Sequence, residues 1–142
     1  MYKDFTIQDG GRIYYRETTA PAHLQSYAER ILEKKKLSVT VKRAIVVTFV
    51  NMQEVTVESS RYSFQVVLTD TEVGFYGIVS YYRVSSDKGG TSGFVDAACR
   101  ETAAGQLPVP KIVEVEGEKY AHVFHVKPCD LLQGICDFVD TF

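Results

Sequence analysis

Cysteine is scarce. Cys99, Cys129 and Cys136 are the only three among 142 residues. That is too few for a disulfide-built scaffold, and the odd number leaves at least one thiol unpaired within the chain. Cys-x6-Cys is not a metal or redox spacing either. Asparagine occurs once, in Asn51-Met52-Gln53, so there is no Asn-x-Ser/Thr glycosylation acceptor. No basic excess is present: 16 Lys+Arg against 18 Asp+Glu give a net charge of −2. This argues against a dedicated nucleic-acid binder. The apolar runs stop after a few residues, far short of the roughly 20 that a membrane-spanning helix needs. The opening stretch MYKDFTIQDGG is polar and carries no signal peptide, which leaves the compartment open.

Catalytic constellations are missing too. Nothing matches Gly-x-Ser-x-Gly or a Walker loop, and DKGGTSG (87–93) lacks the Gly-Lys-Ser/Thr ending that cradles phosphate. Arg100 follows Cys99 and can lower a thiol pKa, but no His-plus-acid pair is identifiable beside it. His122 and His125 are three apart in YAHVFHV. On a strand they point to opposite faces and cannot share a metal. His23 falls on a helix, with nothing nearby to make it a base. Asp70 and Glu72 sit in a turn, where acids serve solubility, and calcium would need more oxygen ligands than these two. The sequence therefore calls for no cofactor and no metal.

What is present is a globular balance, 45% hydrophobic and 24% charged, at the size of one domain. Residues 12–16 (RIYYR) read as a short strand. Residues 21–36 read as a helix, with Pro21 in its first turn and Thr18 or Thr19 as the cap. Leu24, Tyr27, Ala28, Ile31 and Leu32 give it one apolar face. Residues 43–50 (RAIVVTFV) read as a central strand covered on both sides. A hairpin follows over 60–83. Phe64, Val66 and Leu68 share one face of its first arm, the turn lies in 69–74, and the second arm is apolar on both faces. Residues 84–93 are a Ser/Gly-rich loop, and 94–104 read equally as strand or helix. Residues 111–116 and 119–126 read as a further hairpin around Gly117. Asp130 opens a short C-terminal helix.

The expected fold class is α+β. It is a mainly antiparallel sheet built from hairpins, with the N-terminal helix packed on it and a short C-terminal helix. The chain is expected to be a single domain over 1–142.

Two clusters invite a binding role. Lys34, Lys35 and Lys36 are followed by Lys42 and Arg43, and all five reach one edge if the helix turns back into the strand. They read either as helix-end cations and solvated surface or as a patch for sulfated polysaccharide. Tyr14-Tyr15-Arg16 and Tyr81-Tyr82-Arg83 combine amphipathic aromatics with arginine, as binding surfaces do and as strands with wet tips also do.

Several stretches, taken in order, resemble the NIDO module, the extracellular domain of nidogens, alpha-tectorin and mucin-4-type proteins. GRIYYRETTAPA (11–22) is similar to the family's Gly-Arg-Val-Tyr-Tyr-Arg-Glu followed by Ser/Thr-Pro. AIVVTFVNM (44–52) resembles its Val-Val-Thr-Trp strand, and YSFQVVLTD (62–70) its Asn-Thr-Phe-Gln-Ala-Val-Leu signature. GFYGIVSYY (74–82) and YAHVFHV (120–126) resemble the strands that follow. The likeness covers about 11–127 and leaves 128–142 as a tail or the start of a following module. It departs in tryptophan, of which the chain has none: Phe49 stands where the first is expected. Tyr62-Ser63 replaces Asn-Thr.

The resemblance implies a secreted, non-enzymatic interaction module for cell–matrix adhesion or matrix assembly. Its partners would be matrix or cell-surface proteins, without nucleic acid or membrane insertion. Two other readings stay open. One is a small cytosolic α+β ligand-binding domain or enzyme, supported by the low cysteine count. The other is a structural domain that self-associates through a sheet edge. The tail discriminates between compartments. Residues seven apart in a helix lie about 10 Å apart, too far for a disulfide. A Cys129–Cys136 bond, which is the pairing expected here, therefore excludes an unbroken 129–136 helix and points to an oxidising compartment.

Overall fold

In the computed structural model, residues 5–7, 10–54, 57–85, 91–92, 107–108, 112–114 and 120–126 are described. Nine strands and one helix lie in this set: β1 (Phe5–Thr6), β2 (Arg12–Thr18), α1 (Pro21–Lys35), β3 (Val41–Glu54), β4 (Val57–Thr71), β5 (Gly74–Ser85), β6 (Thr91–Ser92), β7 (Leu107–Pro108), β8 (Ile112–Glu114) and β9 (Tyr120–Val126). Seven of the strands form one sheet, antiparallel throughout. Its centre is the meander β3–β4–β5. β1 and β2 both pair with the outer side of β3, and β8 and β9 both pair with the outer side of β5. β6 and β7 pair separately. This is the α+β architecture expected, with one helix on an antiparallel sheet. The expected C-terminal helix and the cysteines lie outside the described residues.

Helix α1 starts at Pro21, whose fixed φ suits the first helical position. Neither Thr18 nor Thr19 caps it. Ala20 is the N-cap residue and makes no side-chain cap bond. The threonines come too early, and the Thr18 hydroxyl instead accepts the Ala20 N–H at 3.2 Å. At the other end Lys36 turns left-handed (φ 56°), and its N–H donates to the Leu32 carbonyl at 2.9 Å. This closes the helix, while Lys34 and Lys35 complement its dipole.

Cross-strand register decides which side chains share a face. Ala44, Thr69, Tyr76 and His125 form one row, and Val46, Val67, Ile78 and Val123 the next. Tyr27 and Ile31 of α1 pack on these rows, flanked by Leu24 and Ala28. Ile31, Val67 and Ile78 are fully buried, each worth about 1.5–3 kcal/mol by transfer of its side chain from water. The helix stripe is narrower than its periodicity suggests, for Leu32 is 47% exposed. On the helix side, buried Thr69 donates its hydroxyl to the Tyr76 carbonyl at 3.0 Å.

The opposite face differs. One end holds a second cluster, Met52, Tyr62, Tyr81 and Val84, with Phe49, Phe64 and Val79 against it. Phe49 and Phe64 stack at 4.4 Å. Towards the other end the cover stops. Ile45 is 48% exposed, and Leu68 and Phe75 are each 38% exposed. β3 is central in the sheet, as expected, but it is covered on one side only over this stretch. Over 64–69 of β4 the buried residues are Val67 and Thr69, while the Phe64–Val66–Leu68 side is half open. An alternation pattern names the two faces of a strand and not which of them another element covers.

Two more expectations are corrected. Among the described residues of the segments expected as a hairpin, 111–116 and 119–126, no pairing of one with the other occurs: β8 pairs with Arg83–Ser85 and β9 with Phe75–Tyr81, so both lie along the same side of β5. The hairpin turn is also tighter than the 69–74 span. Thr71 pairs with Gly74, whose φ is +131°, leaving Glu72-Val73 as a two-residue connection.

Candidate interaction surface

The open face is built from alternate residues of five strands. Glu17, Ile45, Leu68, Gly77 and Phe124 form one row, and Tyr15, Val47, Val66, Val79 and His122 the next. Leu, Ile, Val and Phe were placed here by the same period of two that buries their neighbours under α1. Among the described residues no helix lies above it, and the row ends are exposed. Ile13 is 50% and Tyr15 84% exposed on the β2 side. Gly77 keeps the face flat, because the Phe124 ring lies directly over its Cα. A Cβ there would come within 2.1 Å of that ring.

Charges frame one end of this face. Arg43 Nε donates to Asp70 Oδ2 at 3.2 Å, and Arg43 Nη1 lies 3.7 Å from Glu17 Oε1. The three side chains surround a hollow of about 120 Å³ floored by Ile45, Leu68 and Phe75. Such exposed pairs each contribute at most about 1 kcal/mol, so their consequence is placement of charge rather than stability. A larger, shallower cleft of about 370 Å³ lies on the helix side, beside β2. Tyr14, Arg16, Val46, Thr48 and Gln65 line it. Its floor is ordered by Gln65 Nε2 donating to Thr48 Oγ1 at 2.9 Å. At its rim Arg12 Nη1 donates to the Tyr14 hydroxyl at 3.5 Å, which holds the guanidinium above its ordinary pKa.

The basic residues fall as follows. Lys34, Lys35 and Lys36 occupy the last turn and cap of α1, and Lys34 lies 3.7 Å from Glu33. Lys42 is exposed at a register shift of β3. Arg43 is held between Asp70 and Glu17. Glu72, read as a solubilising acid, has a structural role. The Thr40 N–H donates to both its carboxylate oxygens, at 2.9 and 2.7 Å, which ties the β4–β5 turn to the segment after the helix.

The histidines behave as their spacing requires: His122 lies edge-on to Tyr81 on the open face, and His125 lies 4.9 Å from Tyr76 on the helix face. Among the described residues no group of three or more His, Cys, Asp or Glu is placed to hold a metal. His23 has a neighbour that its sequence position did not reveal, the Thr18 hydroxyl at 3.2 Å from Nδ1. Burial raises the Tyr76 pKa, and the Glu72 carboxylate raises it further. No helix among the described residues is long and apolar enough to cross a membrane.

The most specific sequence stretches thus lie in the sheet's central meander, with an aromatic stack where the tryptophan strand was expected. The family model of the nidogen-like domain, NIDO, matches residues 1–99. The chain belongs to the nidogen-like domain family. The match takes in β1 to β6, including all four of the N-terminal stretches that resemble the family. β9 lies beyond the matched residues and joins the same sheet by pairing with β5. NIDO domains are a non-enzymatic kind of domain that occurs in extracellular proteins. No curated protein and no solved structure matches the chain.

Proposed function

We propose that this NIDO domain is a secreted, non-enzymatic interaction module for cell–matrix adhesion or matrix assembly, binding matrix or cell-surface proteins. The single observation that carries the reading is the family match over residues 1–99. The half-open apolar face supports it, since contiguous exposed apolar surface rimmed by charge is a usual mark of a protein-binding site. Sulfated polysaccharide is the second ligand class. Lys34, Lys35, Lys36 and Lys42 would supply its contacts, with Arg43 in a lesser role because it already faces two carboxylates.

The test is binding of the purified chain to immobilised laminin, type IV collagen and heparin at physiological salt. A variant carrying Lys34→Glu, Lys35→Glu and Lys36→Glu runs beside it. We expect saturable binding to a matrix protein by both. Heparin retention should be lost in the variant, because clustered cations dominate binding to a polyanion. Equal heparin retention by the two would return the lysines to solvated helix-end charge.

A further inference from the structure

β2 is an outer strand. It pairs with β3 in unbroken register from Arg12 opposite Val50 to Thr18 opposite Ala44. Among the described strands β3 is its only partner. Six of its seven residues are exposed. The outward N–H and C=O groups of such a strand are a template for another strand. Proteins blunt such edges with charged side chains, lysine above all, or with proline, a bulge or short length, and of these β2 has only the charges of Arg12, Arg16 and Glu17. β2 has seven residues, RIYYRET, without lysine, proline or register shift. At its middle stands Tyr15, 84% exposed.

We propose that β2 is a self-association edge. It pairs antiparallel with β2 of a second copy, in the register that sets Tyr15 opposite Tyr15. Charge selects this occupant and this register. A two-fold axis normal to the sheet keeps the open faces of both copies on one side. Since side chains alternate, residues then face partners whose numbers have the same parity. An axis through Tyr14 would set Arg12 opposite Arg16 twice, and an axis through Arg16 would set the two guanidiniums against each other. Like charges directly opposite are unfavourable.

The axis through Tyr15 opposes no like charges. Arg16 meets Tyr14, a cation against an aromatic ring. Arg12 meets Thr18, and Ile13 meets Glu17. The paired Tyr15 rings join the Tyr15–Val47–Val66 row of one copy to that of the other, which covers the most exposed large apolar side chain of the open face. Registers centred further out leave most of the strand unpaired.

The experiment is sedimentation of the chain over a wide concentration range, with two variants at exposed positions. The unmodified chain is expected to form a concentration-dependent dimer. Tyr15→Glu opposes two carboxylates at the axis and removes the ring pair, so it should weaken the dimer by at least about tenfold. Tyr14→Glu sets a carboxylate opposite Arg16 and should tighten the dimer by about threefold. Unchanged circular dichroism in both variants keeps the comparison within one fold. A strict monomer at every concentration overturns the proposal and leaves the edge to an extended segment of another protein. A dimer that Tyr15→Glu leaves unchanged also overturns it, because its interface then lies elsewhere. Weakening by Tyr14→Glu overturns the register.

Discussion

Asn51 shows how one residue shapes this sheet. β3 and β4 pair Phe49 with Phe64 and then Met52 with Tyr62, so β3 carries one residue more than β4 between these pairs. Asn51 sits in that bulge at φ 55°, and its N–H donates to the Ser63 hydroxyl at 3.1 Å. Asparagine tolerates the left-handed region better than other residues with a side chain. We expect Asn51→Ala to cost about 1 kcal/mol in urea unfolding and Asn51→Gly to cost much less. Equal losses would show that the amide side chain matters and the backbone angle does not.

Tyr76 gives a prediction in pH. Its pKa is raised in the folded state, first by burial and then by Glu72. The unfolded phenol ionises near its ordinary value of about 10, while the folded one still holds its proton. The unfolded state therefore binds fewer protons, and stability falls as pH rises from about 10 towards the folded-state pKa. Tyr76→Phe should flatten that alkaline slope, read as the urea midpoint against pH. Neither Asn51 nor Tyr76 was legible beforehand. A bulge interrupts register without changing the apolar pattern, and a pKa shift depends on what the fold brings near.

At the scale of elements, local chemistry made most of the secondary structure legible. Pro21 and the stripe through Tyr27 and Ile31 announced α1, and the paired runs around Glu72-Val73 announced the β4–β5 hairpin. Partner choice was less accessible. Two adjacent strand-like segments near Gly117 read as a hairpin, yet β8 and β9 both seek β5. The attraction is visible at Gly77, where the ring of Phe124 fills the space that a side chain would take. Gly77→Ala should cost roughly 1–3 kcal/mol through overpacking against that ring. In a Phe124→Leu background the same change should cost clearly less, because residues in contact are coupled. Additive losses in the double-mutant cycle would show that the ring does not set the requirement for glycine.

For the whole molecule, the family was legible in ordered motifs, while the surface was not. Nothing in RIYYRET says that it is an outer strand, and nothing in RAIVVTFV says that α1 covers only one of its faces. Those facts depend on which elements pack where. They are also the facts on which the proposed function draws, since among the described residues the apolar face is half open and β2 has β3 as its only strand partner. Among the basic residues singled out, Arg43 proved to face Asp70 and Glu17, which charge proximity along the chain did not reveal. The measurement that tests the central claim most directly is the binding of the unmodified, folded chain to laminin and type IV collagen at physiological salt. The account predicts saturable binding to at least one matrix protein. A chain with an intact sheet by circular dichroism that binds neither of these, nor any other matrix or cell-surface protein offered, would contradict it.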